Sequence, residues 1–271
     1  MLEMFEMEFM QRAWIAGIIV AIVCPLIGSF LVLRKQSLIG DGLGHIAFAG
    51  VAGGALMGYQ PVLSAAFATV LGALGIEFVR KKMAEYSDMV LAIFFYSGMG
   101  LAVIFTSMNK LGSMNLSSFL FGSLMTITTL DLWFVALLAI FISTFVMVFY
   151  CPLQYLVFDE LSAEVAGLPT AQLSIWLSVL TALTVAIAMR IVGLLLVAAM
   201  MVIPVACAIQ VSKSFKGTII TAVIYALISV IVGLTLSYYA NLAPGGTIVL
   251  CGSILFVISY FVGRFLRKGK K

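Results

Sequence analysis

Charge is scarce in this sequence. Only 10% of its 271 residues are Asp, Glu, Lys or Arg, 63% are hydrophobic, and the mean hydropathy is +1.22. Soluble domains carry roughly 25% charged residues, so a soluble globular chain is excluded and a polytopic membrane protein is indicated. Almost all of the chain is needed for spans, which leaves one transmembrane domain over residues 1–271 and no second folded domain. Histidine is rarer still, with one copy, so the HExxH set of an intramembrane metalloprotease is excluded. The four cysteines include no CxxC pair, which excludes a disulfide framework and a structural zinc site. No GxxxxGK[ST] is present, so the chain has no such phosphate cradle of its own and is expected to be no enzyme. The start, "MLEMFEMEFMQRAW", carries Glu3, Glu6 and Glu8 where a signal peptide would be basic, so the first span is expected to be retained.

What the chain does have is long apolar runs, near residues 13–33, 37–58, 63–79, 88–107, 131–150, 170–189, 191–209, 218–239 and 247–266. Each approaches the ~20 residues that a helix needs to cross the hydrocarbon core. The expected fold is therefore all-α, a helical bundle of about nine spans. The more polar segment 109–128 is expected to form a short helix packed inside protein. Lys and Arg test the layout, because cytoplasmic loops hold the excess of positive charge. With the N-terminus outside, Arg34, Lys35, Arg80, Lys81, Lys82, Lys213, Lys216, Arg264, Arg267, Lys268, Lys270 and Lys271 fall inside. Arg12, Lys110 and Arg190 fall outside, twelve against three. The C-terminus is then cytoplasmic. Topology thus accounts for the net charge of +4, and nucleic acid is not expected as a partner. No internal repeat is visible, although the small-residue stretches 40–58 and 191–208 could line a central path.

Ionisable residues within spans are costly and mark pathways or partners. "SLIGDGLGHIAFAG", residues 37–50, holds Asp41 and the sole histidine, His45, four residues apart. That spacing sets both on one helix face, about 6 Å apart along the axis. Carboxylate and imidazole suit a borderline divalent metal. The competing reading is an Asp–His hydrogen bond that fixes helix packing. Two ligands would form an incomplete site, which suits passage better than storage. Elsewhere, Glu77 is expected to pair with Arg80 and Lys81 at the interface, or else to line the exit. Asp88 and Asp131 are read as caps, Cys207 as a small buried hydrophobe, and the scattered methionines as packing.

The stretch "CPLQYLVFDELSAEVAGLPTAQL", 151–173, is the largest inner loop and lacks Lys and Arg. It reads as one short amphipathic helix. Asp159 or Ser162 begins it, Leu161, Val165 and Leu168 share a face, and Gly167-Leu168-Pro169 stops it. An exposed apolar and acidic face is expected to meet a protein partner rather than anionic lipid.

Taken in order, "FMQRAWIAG", "LVLRKQSLIGDGLGHIAFAGVAGG", "FLFGSLMTIT", "FDELSAEVAGLP", "VGLLLVAAMMVIPVACA" and "PGGTIVL" resemble the membrane permease subunits of bacterial ABC importers for zinc, manganese and iron. The resemblance runs nearly end to end. It implies a multi-pass protein of the bacterial cell membrane, with two permease copies around a central path. It also implies ATP-binding subunits docked on the cytoplasmic side and an external protein that delivers the metal. Asp41 and His45 match the family's acidic-histidine motif and would contact the ion in transit, with no permanently bound cofactor. The loop at 151–169 would couple to the ATPase, through Phe158, Asp159, Glu160, Ala163, Gly167, Leu168 and Pro169. Gly44 stands where the family commonly has serine, and Gly42 where alanine or threonine is frequent, so no hydroxyl flanks the pair. The chain's start and "GIEFVRKK" look more like the zinc branch than the manganese branch. The alternatives are a manganese or iron importer of the same type, or a proton-coupled secondary metal carrier.

Overall fold

The computed structural model describes residues 7–108, Gly122, 129–240 and 242–268. Its elements are α1 (Glu8–Leu33), α2 (Ile39–Leu56), α3 (Pro61–Lys82), a 3-10 turn (Ala84–Tyr86), α4 (Ser87–Met108), α5 (Thr129–Val148), α6 (Tyr150–Phe158), α7 (Glu160–Val165), α8 (Thr170–Val192), α9 (Leu194–Val211), α10 (Phe215–Ala240) and α11 (Pro244–Lys268). No strand occurs among the described residues. Each of the nine apolar runs contains a helix. Seven of these helices are long and apolar enough to cross a membrane. An eighth crossing is available if α5 and α6, which meet at a 72° bend, form one broken span, while α9 is a shorter apolar helix. Of the segment 109–128, everything but Gly122 lies outside the described residues, as do the side chains of Asp131 and Arg190.

The spans form two lobes. In the first, α2 packs against α3 and α4; in the second, α9, α10 and α11 pack on one another with α1 against α9 and α10, and α8 bridges the two through α2 and α3 on one side and α9 and α1 on the other. Helices keep backbone hydrogen bonds within the segment, as hydrocarbon requires, except at the interior prolines Pro25 of α1 and Pro204 of α9, which have no amide to donate. Polar side chains in the spans follow the same rule: the hydroxyls of Ser29, Thr69, Thr181 and Thr184 donate to carbonyls four residues earlier. Close helix approach is clearest at Gly28 on α1. A Cβ there would lie 2.0 Å from the Met201 carbonyl oxygen of α9, a backbone atom that cannot swing aside.

One boundary differs from the expected position. Arg190 punctuates the apolar runs, yet α8 continues past it, and the break falls at Gly193. There φ is +89° and ψ 156°, a backbone region accessible essentially to glycine alone. Backbone geometry, not charge, ends this helix.

Candidate metal site and the segment around α7

Asp41 and His45 both lie on α2, in its first and second turns. At 1.5 Å per residue they stand roughly 3 and 9 Å along the axis from Ile39. Both are half-buried. The N-terminal turn favours a carboxylate, because unpaired amides and the helix dipole make it positive. His45 stands edge-on to Phe95 of α4, with ring centroids 4.6 Å apart. Neither a hydrogen bond nor an ion pair joins Asp41 to His45 among the described residues, so the helix-pinning alternative lacks its bond. Nor is any cluster of three or more His, Cys, Asp or Glu present among the described residues; Cys207 is buried.

Helix neighbours account for Gly44 and Gly50, whereas a Cβ on Gly42 would make only ordinary contacts, the nearest with the Leu91 carbonyl oxygen at 3.8 Å. A Cβ on Gly44 would meet Leu194 Cδ1 of α9 at 2.3 Å, so a side chain here would have to displace Leu194. At Gly50 a Cβ would lie 2.8 Å from the Ser64 carbonyl oxygen of α3. α2 therefore rests close to both lobes, with His45 turned toward α4. One residue further on, at Ile46, begins an apolar groove of about 650 Å³ between α2, α3 and α4 that also touches Gly50, Phe67, Phe94 and Phe105.

At the end of the bundle where α1 and α3 finish, the 151–173 stretch forms two helices instead of the single one expected. The chain bends out of α5 into α6, which buries Leu153 and Leu156. Asp159 then caps α7, its carboxylate accepting from the Ser162 amide at 3.0 Å and from the Ser162 hydroxyl. These bonds hold the Asp159 carboxyl below the usual carboxylate range. The other end is a Schellman closure: the Leu168 amide donates to the Ala163 carbonyl at 3.1 Å and the Gly167 amide to Glu164 at 2.9 Å. Gly167 supplies the φ of +80° that this closure needs. Ala163 faces the bundle, while Leu161 is 76% and Val165 90% exposed. Asp159→Ala is expected to destabilise α7 by about 1 kcal/mol, read as faster hydrogen exchange at Ser162 and Ala163; unchanged exchange would mean that packing alone holds α7.

Glu77 pairs with Arg80 as expected, inside the protein. It is only 2% exposed and accepts from Arg80 at 2.8 and 3.0 Å and from the Ser178 hydroxyl at 3.3 Å. Lys81 does not join it and points toward the Ala171 carbonyl. Asp88 sits in the first turn of α4, where an acid suits the helix dipole. Sequence reasoning missed Arg34 and Ser174, which complete the Glu77 cluster. The signal available was an acid and a base three residues apart at a span end, but not the depth at which the fold places them.

Helical spans in two lobes, an ionisable pair on one of them and a capped helix projecting at one end define a multi-pass membrane protein of transport type. The chain belongs to the ABC 3 transport family, which it matches over residues 6–263. It is 34% identical over 257 residues to the manganese transport system membrane protein MntC of Listeria monocytogenes, covering 95% of this chain and 91% of that one. It is 31% identical over 259 residues to the high-affinity zinc uptake system membrane protein ZnuB of Haemophilus influenzae, with 95% and 98% covered. The solved structure of PsaBC from Streptococcus pneumoniae in complex with Fab superposes with a TM-score of 0.87 at 30% identity, covering 98% of this chain and 97% of that chain.

Proposed function

We propose that this chain is the permease subunit of an ATP-driven importer of a divalent metal ion in a bacterial cell membrane. The observation that carries the reading is the Asp41 and His45 pair on one face of α2, unbonded to each other, within a chain similar throughout its length to relatives named for metal transport. The ion passes this pair as cargo. Water or a second permease copy supplies the remaining ligands, and the incomplete set lets the ion leave again. ATP is hydrolysed on separate subunits that meet Phe158, Leu161 and Val165, the outward apolar side chains around α7. Their movement alternates access between the two sides. An external protein delivers the ion. Nine crossings with the N-terminus outside accord with Arg34, Lys35, Arg80 and Lys81 gathering on one groove beside Glu160, at what is then the cytoplasmic end.

Zinc is the ion favoured by the sequence blocks, whereas the relatives are named for manganese and for zinc. Two ligands do not discriminate them, because geometry and metal supply decide selectivity. The test reconstitutes the chain with and without ATPase subunits and measures uptake of radioactive zinc and manganese, driven by ATP or by a proton gradient. ATP-dependent uptake that needs the partner subunits is the expected result, and the preferred isotope identifies the ion. Gradient-driven uptake by the chain alone would defeat the reading in favour of a secondary carrier.

A further inference from the structure

Four charged side chains meet beside α7. Arg34, just past α1 and with its side chain 6% exposed, donates to Glu160 Oε2 at 3.0 Å and to the Ser174 hydroxyl at 2.6 Å. Arg80 of α3 donates to that same hydroxyl at 3.0 Å and grips Glu77. A continuous path therefore runs Glu160–Arg34–Ser174–Arg80–Glu77, from α7 through the end of α1 and the buried start of α8 into α3. Two cations and two anions balance within it. Among the described residues, the Arg34–Glu160 contact is the one polar bond from α7 to a span; the other attachments of this segment are apolar, through buried Ala163 and the Phe158 ring edge-on to Phe215.

Neither pair in the path is a strong source of stability: the Glu160 side chain is 49% exposed, so water screens its bond to Arg34, and desolvation offsets the attraction within the buried Glu77–Arg80 pair. Stability is thus a poor reason for this path, whereas directional, charge-assisted bonds transmit position well. We propose that Arg34 is a positioning residue that carries movement of α7 into α1 and α3, coupling ATP hydrolysis to ion passage. This rests on the importer reading above. The fork of the guanidinium matters, because one nitrogen holds Glu160 while the other holds Ser174, and a lysine point charge cannot occupy both positions in that geometry.

The test compares wild type, Arg34→Lys, Arg34→Glu and the exchanged pair Arg34→Glu with Glu160→Arg. Each is reconstituted with its ATPase subunits and external binding protein, and copurification, ATP hydrolysis and metal uptake are measured. Arg34→Lys is expected to retain the ATPase subunits and basal hydrolysis within about twofold while uptake per ATP falls at least tenfold. The exchanged pair is expected to recover severalfold over Arg34→Glu alone. Wild-type uptake per ATP in Arg34→Lys, loss of copurified ATPase in that variant, or no recovery in the exchanged pair would each overturn the proposal. Wild-type protein without ATP-dependent uptake would instead defeat the importer reading.

Discussion

Asp41→Asn is expected to reduce ATP-driven metal uptake by more than the ~100-fold upper range found when outer-shell partners of metal ligands are removed. The substitution keeps the side chain's shape and removes the charge that a divalent cation would meet first. It breaks no hydrogen bond seen among the described residues, and a half-buried neutral amide is cheaper to hold than a carboxylate. The chain is therefore expected to fold and melt as wild type does. His45→Ala should reduce uptake comparably but also forfeits the edge-on contact with Phe95, which such pairs set at about 0.5–1.5 kcal/mol. A small loss of thermal stability is expected there and not for Asp41→Asn. Measurement of isotope uptake in vesicles, beside melting in detergent, separates the two effects. Wild-type uptake in both variants would remove the pair from the ion's path.

Glu77→Ala is expected to destabilise the fold by about 3–5 kcal/mol, because it strands the largely buried Arg80 guanidinium without its carboxylate. In a chain of this size that corresponds to a melting temperature lower by on the order of 10 °C. Replacing Glu77 and Arg80 together by apolar residues of similar volume should cost much less, since the pair's desolvation is then avoided as well. Equal melting of Glu77→Ala and wild type would show that water screens the pair, the situation of an interfacial glutamate. The contrast with Asp41→Asn is physical: the Glu77 carboxylate is held by Arg80 and Ser178, whereas no such bond holds Asp41 among the described residues.

The helical class was legible because its cause is composition. Nine apolar runs could satisfy their backbone in lipid only as helices, and each of them holds one. Asp41 and His45 were legible for a related reason: four residues is a local distance, and a helix converts it directly into a shared face. The ends of the 160–165 helix were also readable, since capping by Asp159 and closure by Gly167 are contacts within a few residues. The boundary near Arg190 was not. Charge suggests an interface, but the break awaited a residue able to adopt φ of +89°, and Gly193 lies three positions later.

Glu77 shows where local pattern stops being informative. Its spacing from Arg80 predicts their pairing, and they do pair; the pattern says nothing of depth, which depends on α8 lying over them with Ser174 and Ser178. The outward turn of Leu161 and Val165 has the same origin, as it follows from Ala163 being the side that fits the bundle. Composition and short-range spacing thus settle that the chain is helical and membrane-spanning, and which residues share a turn, because those properties are governed by the solvent and by contacts a few residues apart. The joining of Glu160 to Arg34 and Arg34 to Ser174 spans 126 and 140 residues of chain. Such contacts exist only once the helices have packed, since no local preference brings together groups so distant along the chain.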